Sequence, residues 1–283
     1  MLIDTRTIDS MIASLASYLD VSEDELFRHI DYAKDKAQSD SGSFIVDVFG
    51  KELLSNFPDL QSKEKIDEIY VYHLTRRLND SFEDKSSDNL KSLLLKKSPI
   101  SLFLSQYKIG FIERDGHPIL VFNGNEVSLD DTSIIDVCYL RSRLGYNEGR
   151  EDYCFNGFAF RDRLMKNTYT MQLYNCPEFI DVLSHYLPID GLKEQYCELS
   201  KYYCFTYKMK MDEVIFDGEG NLDNREKEEY LLMQIAMRIM SYLTEKGKWQ
   251  YDGDNPIIRI ADDKSVSASK IVNIEEITFD MIK

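Results

Sequence analysis

The stretch from 202 to 216 constrains the fold more than any other part of this sequence. Tyr203, Phe205, Tyr207, Met209, Met211 and Ile215 occupy one parity, and Lys208, Lys210 and Asp212 the other. Apolar and charged residues alternating with period two make a strand with one dry face and one wet face. The fold must therefore contain a sheet with one side covered.

The rest of the chain supplies both strands and helices. Ile69 to Thr75 is rich in strand formers, and 109–128 reads as a hairpin that turns at Arg114-Asp115-Gly116, with a second turn at Asn123-Gly124-Asn125. Residues 257–260 and 271–279 read as closing strands. Ile8, Met11, Ile12, Leu15, Ala16 and Leu19 recur at helical spacing, so 7–20 is an amphipathic helix. Ser22 with Glu25 forms a capping box that opens a second helix to about Gln38. Residues 90–107 read as a helix broken at Ser98-Pro99. Residues 134–145 and 177–187 read as helices, and 79–87 as a polar loop. Asp223 with Glu226 caps a long helix to Gly247, with Leu231, Ile235, Ile239 and Leu243 as its core stripe. The expected fold is α+β, with an N-terminal helical hairpin and a mixed, mostly antiparallel sheet. Helices flank that sheet, a long one among them in the C-terminal region. An N-terminal helical subdomain over 1–60 and an α+β domain over 61–283 are expected, with 69–75 and 202–216 as neighbouring strands. The first two helices make an ordinary hairpin rather than a DNA reader, because Glu23, Asp24, Glu25 and Asp31 would face phosphates.

Charge and cysteines narrow the function classes. The 283 residues carry a formal net charge of −16, which repels nucleic acid and anionic membranes at long range. No apolar run reaches the roughly 18 residues of a membrane span. The first twelve residues hold Asp4 and lack an apolar signal core, so a cytoplasmic protein is expected. Five cysteines, at 138, 154, 176, 197 and 204, form no C-x-x-C pair, which speaks against a disulfide framework and against zinc. Asp217 to Asp223 with Glu228 imitates a calcium loop, but Leu222 stands where the sharp turn needs Gly. No metal is expected.

Two features break the pattern. Glu213 falls on the apolar parity of the 202–216 strand, and a carboxylate in a core costs several kcal/mol unless paired or placed in a polar cleft. A strand end that returns it to solvent, a structural ion pair and a catalytic carboxylate each account for it. On 69–75, His73 and Thr75 share a face with Ile69 and Val71, and Arg76 and Arg77 follow directly. That cluster suits either a phosphorylated ligand or a structural histidine beside solvated arginines.

Tyr72-His73-Leu74-Thr75 resembles the first-strand motif of ADP-ribosyltransferases of the diphtheria-toxin and poly-ADP-ribose polymerase class. The apolar run Leu90 to Leu95, Tyr107 and the segment Met211-Asp212-Glu213-Val214-Ile215-Phe216 are similar to the elements that follow in that family. The Gly common after the His is Leu74 here. The likeness covers roughly 65–216. It implies NAD as co-substrate, held by His73 at the adenosine-side ribose and by Thr75, with Arg76 or Arg77 offsetting the pyrophosphate. Tyr107 would stack on nicotinamide, and Glu213 would stabilise the oxocarbenium-like charge as nicotinamide departs. It further implies a mono-ADP-ribosyltransferase acting on a macromolecular acceptor, in the manner of a bacterial toxin or defence effector, with a neutralising or activating protein partner. Arg141, Arg143 and Asn156 are further polar candidates without a motif. The alternative is a non-enzymatic acidic interaction protein such as an antitoxin, immunity factor or inhibitor, which the net charge favours.

Overall fold

The computed structural model describes residues 1–57, 65–78, 87–147, 149, 151–245 and 251–283. In chain order the elements are α1 (Ile8–Leu19), α2 (Glu23–Ala37), α3 (Val46–Ser55), β1 (Glu68–Leu78), α4 (Leu90–Leu95), α5 (Pro99–Gln106), β2 (Ile109–Arg114), β3 (His117–Phe122), β4 (Asn125–Glu126) and α6 (Ile135–Arg143). There follow β5 (Asn156–Phe158), α7 (Thr168–Asn175), α8 (Glu178–Tyr186), α9 (Leu192–Leu199), β6 (Ser200–Lys210), β7 (Ile215–Phe216), α10 (Asn224–Glu245), β8 (Ile257–Arg259), β9 (Ile271–Glu276) and α11 (Phe279–Ile282). The fold is α+β. A six-stranded, mostly antiparallel sheet runs β7-β8-β5-β1-β6-β9, and β2-β3-β4 form a small sheet of their own. β1 and β6, the strands expected over 69–75 and 202–216, are neighbours.

Local chemistry sets most of these boundaries. The capping box at Ser22 forms as expected: the Ser22 hydroxyl accepts from the Glu25 N–H, and the Glu25 carboxylate accepts from the Ser22 N–H at 3.0 Å. Asp223 and Glu226 exchange the same pair of bonds at the start of α10. Its expected end at Gly247 lies outside the described residues, as does most of the 79–87 loop and the expected division after residue 60. Ser98 caps α5 and Pro99 takes its first turn, where no N–H is needed. Asp115-Gly116 and Asn123-Gly124 have positive φ at both positions, +52° and +83°, then +51° and +80°. That is the type I′ turn whose twist matches antiparallel strands.

Two expectations need correction, and three helices had not been expected. The strand expected over 202–216 stops at Lys210. Met211–Glu213 is a 3-10 turn, and only Ile215–Phe216 is strand again. The strand expected over 271–279 ends at Glu276, and Phe279 opens the short helix α11. Helices α3, α7 and α9, each of eight to ten residues, lack a stripe long enough to stand out in the sequence.

The chain divides into two compact units: 1–71, 158–164 and 208–257 make the first, and 72–157, 165–207 and 258–283 the second. In the first, α1, α2, α3 and α10 pack together. Met11, Leu26, Ile30, Phe49, Ile235 and Ile239 are fully buried there; of the stripe expected on α10, Leu231, Ile235 and Ile239 are buried and Leu243 is half-buried. A Cβ on Gly50 would come within 2.7 Å of the Met233 sulfur, so the absence of a side chain sets the approach of α3 to α10. The same unit buries charge. Arg238, 1% exposed, is held by Asp252, by Asp254 at 3.0 Å and by Asp162 at 3.5 Å. Burial raises the Asp162 carboxyl above its ordinary value despite the Arg238 charge beside it. Removal from water outweighs attraction there.

In the second unit, α4, α5, α6, α8 and α9 enclose an apolar core with the β2-β3 hairpin. Phe103, Leu104, Leu120, Leu140, Leu183 and Leu192 are at its centre. No helix among the described residues is long and apolar enough to cross a membrane.

Candidate functional site

The second unit contains a cavity of about 270 Å³, lined entirely by its own residues. The C-terminal half of β1, His73 to Leu78, forms one wall. Tyr153 to Asn156, leading into β5, form another. Ser87 and Asp88, Leu90 and Leu93 of α4, the N-terminal residues of α5 and α8, the C-terminal Arg143 of α6, and single residues of α7 and α9 close the rest.

His73 sits at the heart of this wall. Its Nδ1 lies 2.6 Å from the Asn156 carbonyl oxygen. A carbonyl can only accept, so Nδ1 carries the proton. The ring packs on Phe155, with centroids 4.4 Å apart. Burial holds the imidazole down to about 4, against the Asn156 bond, which pulls the other way; the Arg77 charge lowers it further. At neutral pH the ring is therefore uncharged, and Nε2 is an acceptor. Nε2 has no hydrogen-bond partner among the described residues. An acceptor on a cavity wall fits a donor such as a ligand hydroxyl.

Three arginines line the same cavity, and Asp88 is the one carboxylate among the lining residues. Arg76 is spent on the protein. It donates through Nε to the Ser200 hydroxyl at 2.9 Å, and through its terminal nitrogens to the carbonyls of Tyr174, Cys197 and Ser200. Arg77 donates to the Ser87 hydroxyl at 2.9 Å and lies over the Phe205 ring. Arg143 pairs with Asp152 at 2.9 Å. An apolar pocket with a few convergent polar groups is the usual form of a small-molecule site.

Some of the expected site residues line the cavity and others are not among its lining residues. His73, Thr75, Arg76 and Arg77 all line the cavity, and so do Arg143 and Asn156. Arg141 does not; it donates to the Leu129 carbonyl at 2.9 Å. Tyr107 does not line it either. It ends α5, where its hydroxyl bonds Gln195 and the Gly191 carbonyl, and its ring packs against Phe103. Glu213 belongs to the first unit and is exposed in the 3-10 turn, where its carboxylate accepts the Lys210 N–H at 3.2 Å. Glu213 thus lies past a strand end that returns it to solvent, one of the three readings of it. Its parity failed because the strand stops before it.

Among the described residues no three His, Cys, Asp or Glu side chains are grouped to hold a metal ion. No protein-family model matches the chain, and no curated protein or solved structure matches it either.

Proposed function

We propose that the second unit binds a small phosphorylated ligand bearing hydroxyl groups, of the size of a sugar phosphate or one half of a dinucleotide. The observation that carries this reading is the cavity's lining: three arginines and one carboxylate, in a protein whose net charge is −16. Such a bias inside an acidic chain favours an anion in that one place. Arg77 supplies the charge, with Arg143 beside it paired to Asp152, His73 accepts from a ligand hydroxyl, and the aromatic and aliphatic walls take an apolar or planar part. The volume is near the lower end for ligand pockets, roughly 300–1,000 Å³, which favours a fragment over a whole dinucleotide.

NAD and ADP-ribose belong in the first panel, because the Tyr72-His73-Leu74-Thr75 motif lies in this wall. ADP-ribosyl transfer remains a proposal resting on that motif. Glu213, in its exposed turn, lends it no support, so the reading is confined to binding. Calorimetric titration with pyrophosphate, AMP, ribose 5-phosphate, ADP-ribose and NAD tests it, alongside detection of released nicotinamide. The expected result is binding by at least one phosphorylated ligand that weakens as salt is raised. No binding by any of them at millimolar concentration would overturn the reading. Nicotinamide release would extend it to transfer chemistry.

A further inference from the structure

Behind the wall of the cavity lie two cysteines, 21 residues apart in sequence. Cys176 follows α7 directly and is buried, whereas Cys197 sits in the last turn of α9 and is half-buried. The Cys197 thiol donates to the carbonyl of Asn175, the residue just before Cys176, at 2.9 Å. That bond sets the Cys197 thiol beside the backbone of Cys176. Arg76 holds both segments in place, bonding the Tyr174 carbonyl on one side and the Cys197 carbonyl, at 2.8 Å, on the other. We propose that Cys176 and Cys197 are a redox-active dithiol which a peroxide converts into a disulfide, with Cys197 as the attacking thiol and Cys176 as the resolving one.

The environment divides the two roles. The neighbouring Cys176 thiol, aided by the Arg76 and Lys193 charges, brings Cys197 down to about 7, while the Cys197 thiol and burial push Cys176 up. Thiolate is the nucleophile, so the half-buried partner with the cationic neighbours reacts first. Lys193, one turn earlier on α9, is fixed in place by Asp181. Cys154 and Cys204 are buried, and Cys138 is exposed with its thiol on the Thr132 carbonyl.

The chemistry balances with hydrogen peroxide as the oxidant. The Cys197 thiolate attacks one peroxide oxygen, the O–O bond breaks, and the departing hydroxide takes up the proton the thiol released. Cys197 is then a sulfenic acid and one water has formed. The Cys176 sulfur attacks the Cys197 sulfur, the S–O bond breaks, and the leaving hydroxide takes the Cys176 proton as a second water. Two thiols have lost two electrons, and one peroxide has gained them. Leu173, Pro177 and Tyr196, neighbours of the two cysteines in sequence, line the cavity, so the cross-link ties together two parts of one wall.

The test is made on the whole protein with one equivalent of hydrogen peroxide, followed by alkylation and tryptic mapping. The sequence is favourable, because cleavage after Lys166, Lys193 and Lys201 puts the two cysteines on separate peptides, 167–193 and 194–201. The expected product is those two peptides joined, separated again by dithiothreitol, with Cys138 still open to alkylation. In Cys176→Ser the join is expected to vanish and a sulfenic acid to be trapped on Cys197 by dimedone. Peroxide treatment that leaves both cysteines free, or that joins either to a different cysteine, would overturn the proposal. The cross-link is read directly, so its appearance does not depend on whether the cavity binds a phosphorylated ligand.

Discussion

His73 Nδ1 lies 2.6 Å from the Asn156 carbonyl oxygen, a bond that joins β1 to β5 inside the second unit and fixes the imidazole as a neutral acceptor. Its folded value of about 4 lies below the usual 6.5. Between those two values the unfolded chain takes up a proton that the folded one refuses. Stability therefore falls as the pH drops across that window, by up to about 3 kcal/mol from this group. His73→Asn should flatten that part of the profile. Denaturant unfolding at pH 7 and pH 4 checks it: an equal loss in variant and wild type would show that the acid sensitivity comes from elsewhere.

The cavity arginines and Glu213 should separate cleanly in binding experiments. Arg77→Met is expected to weaken a phosphorylated ligand about tenfold or more, since a charge-assisted bond is worth roughly 1.5–3 kcal/mol. Glu213→Gln should leave affinity unchanged. Because Glu213 is exposed in its turn, its replacement should also move stability by less than about 0.5 kcal/mol. Calorimetry and a melting curve on each variant decide the matter.

Arg238 is buried among three aspartates of the first unit. Arg238→Ala removes the cation and leaves buried carboxylates without their counter-charge, which costs about 3–5 kcal/mol. Replacing Arg238 with Met together with Asp252→Asn should cost much less, because the charge leaves with its partner. If the single and double variants unfold at the same denaturant concentration, the cluster is not held by charge.

On α10, Ile235 has no exposed surface. Ile235→Asp sets a carboxylate into that core and should cost several kcal/mol. An unchanged melting temperature would mean that α10 presents this face elsewhere in solution.

What the sequence revealed follows from where the determining interactions lie. Ser22 with Glu25, Ser98 with Pro99, Asp223 with Glu226 and the two turn glycines act within a few residues, and each set its boundary as expected. The alternation was legible only over 207–210, where Lys208 and Lys210 are exposed and Tyr207 and Met209 buried; Tyr202, Cys204 and Thr206 are buried as well, so the wet face expected there is covered. Glu213 shows the limit. Period two was carried across Met211, where the backbone leaves the sheet, and nothing in the residue types marks that exit. The cavity was legible only along β1. His73 to Arg77 are consecutive, but Arg143, Asn156 and Tyr196 come from distant segments, and folding alone brings them to the same wall. Arg143 and Asn156 stood out merely as polar residues, and the pairing of Cys176 with Cys197 left no trace in spacing.

Arg76 is bound to three carbonyls and a hydroxyl, and it has no carboxylate partner among the described residues. Carbonyl dipoles solvate a cation without cancelling it, much as a cage of oxygens holds an alkali ion. The guanidinium thus acts as an embedded counter-ion, locked into the scaffold rather than drawn from solution. An anion bound as proposed would meet a standing electrostatic potential at this wall that no side-chain rearrangement has to create. Under the proposed binding role, that field is already in place when the chain finishes folding.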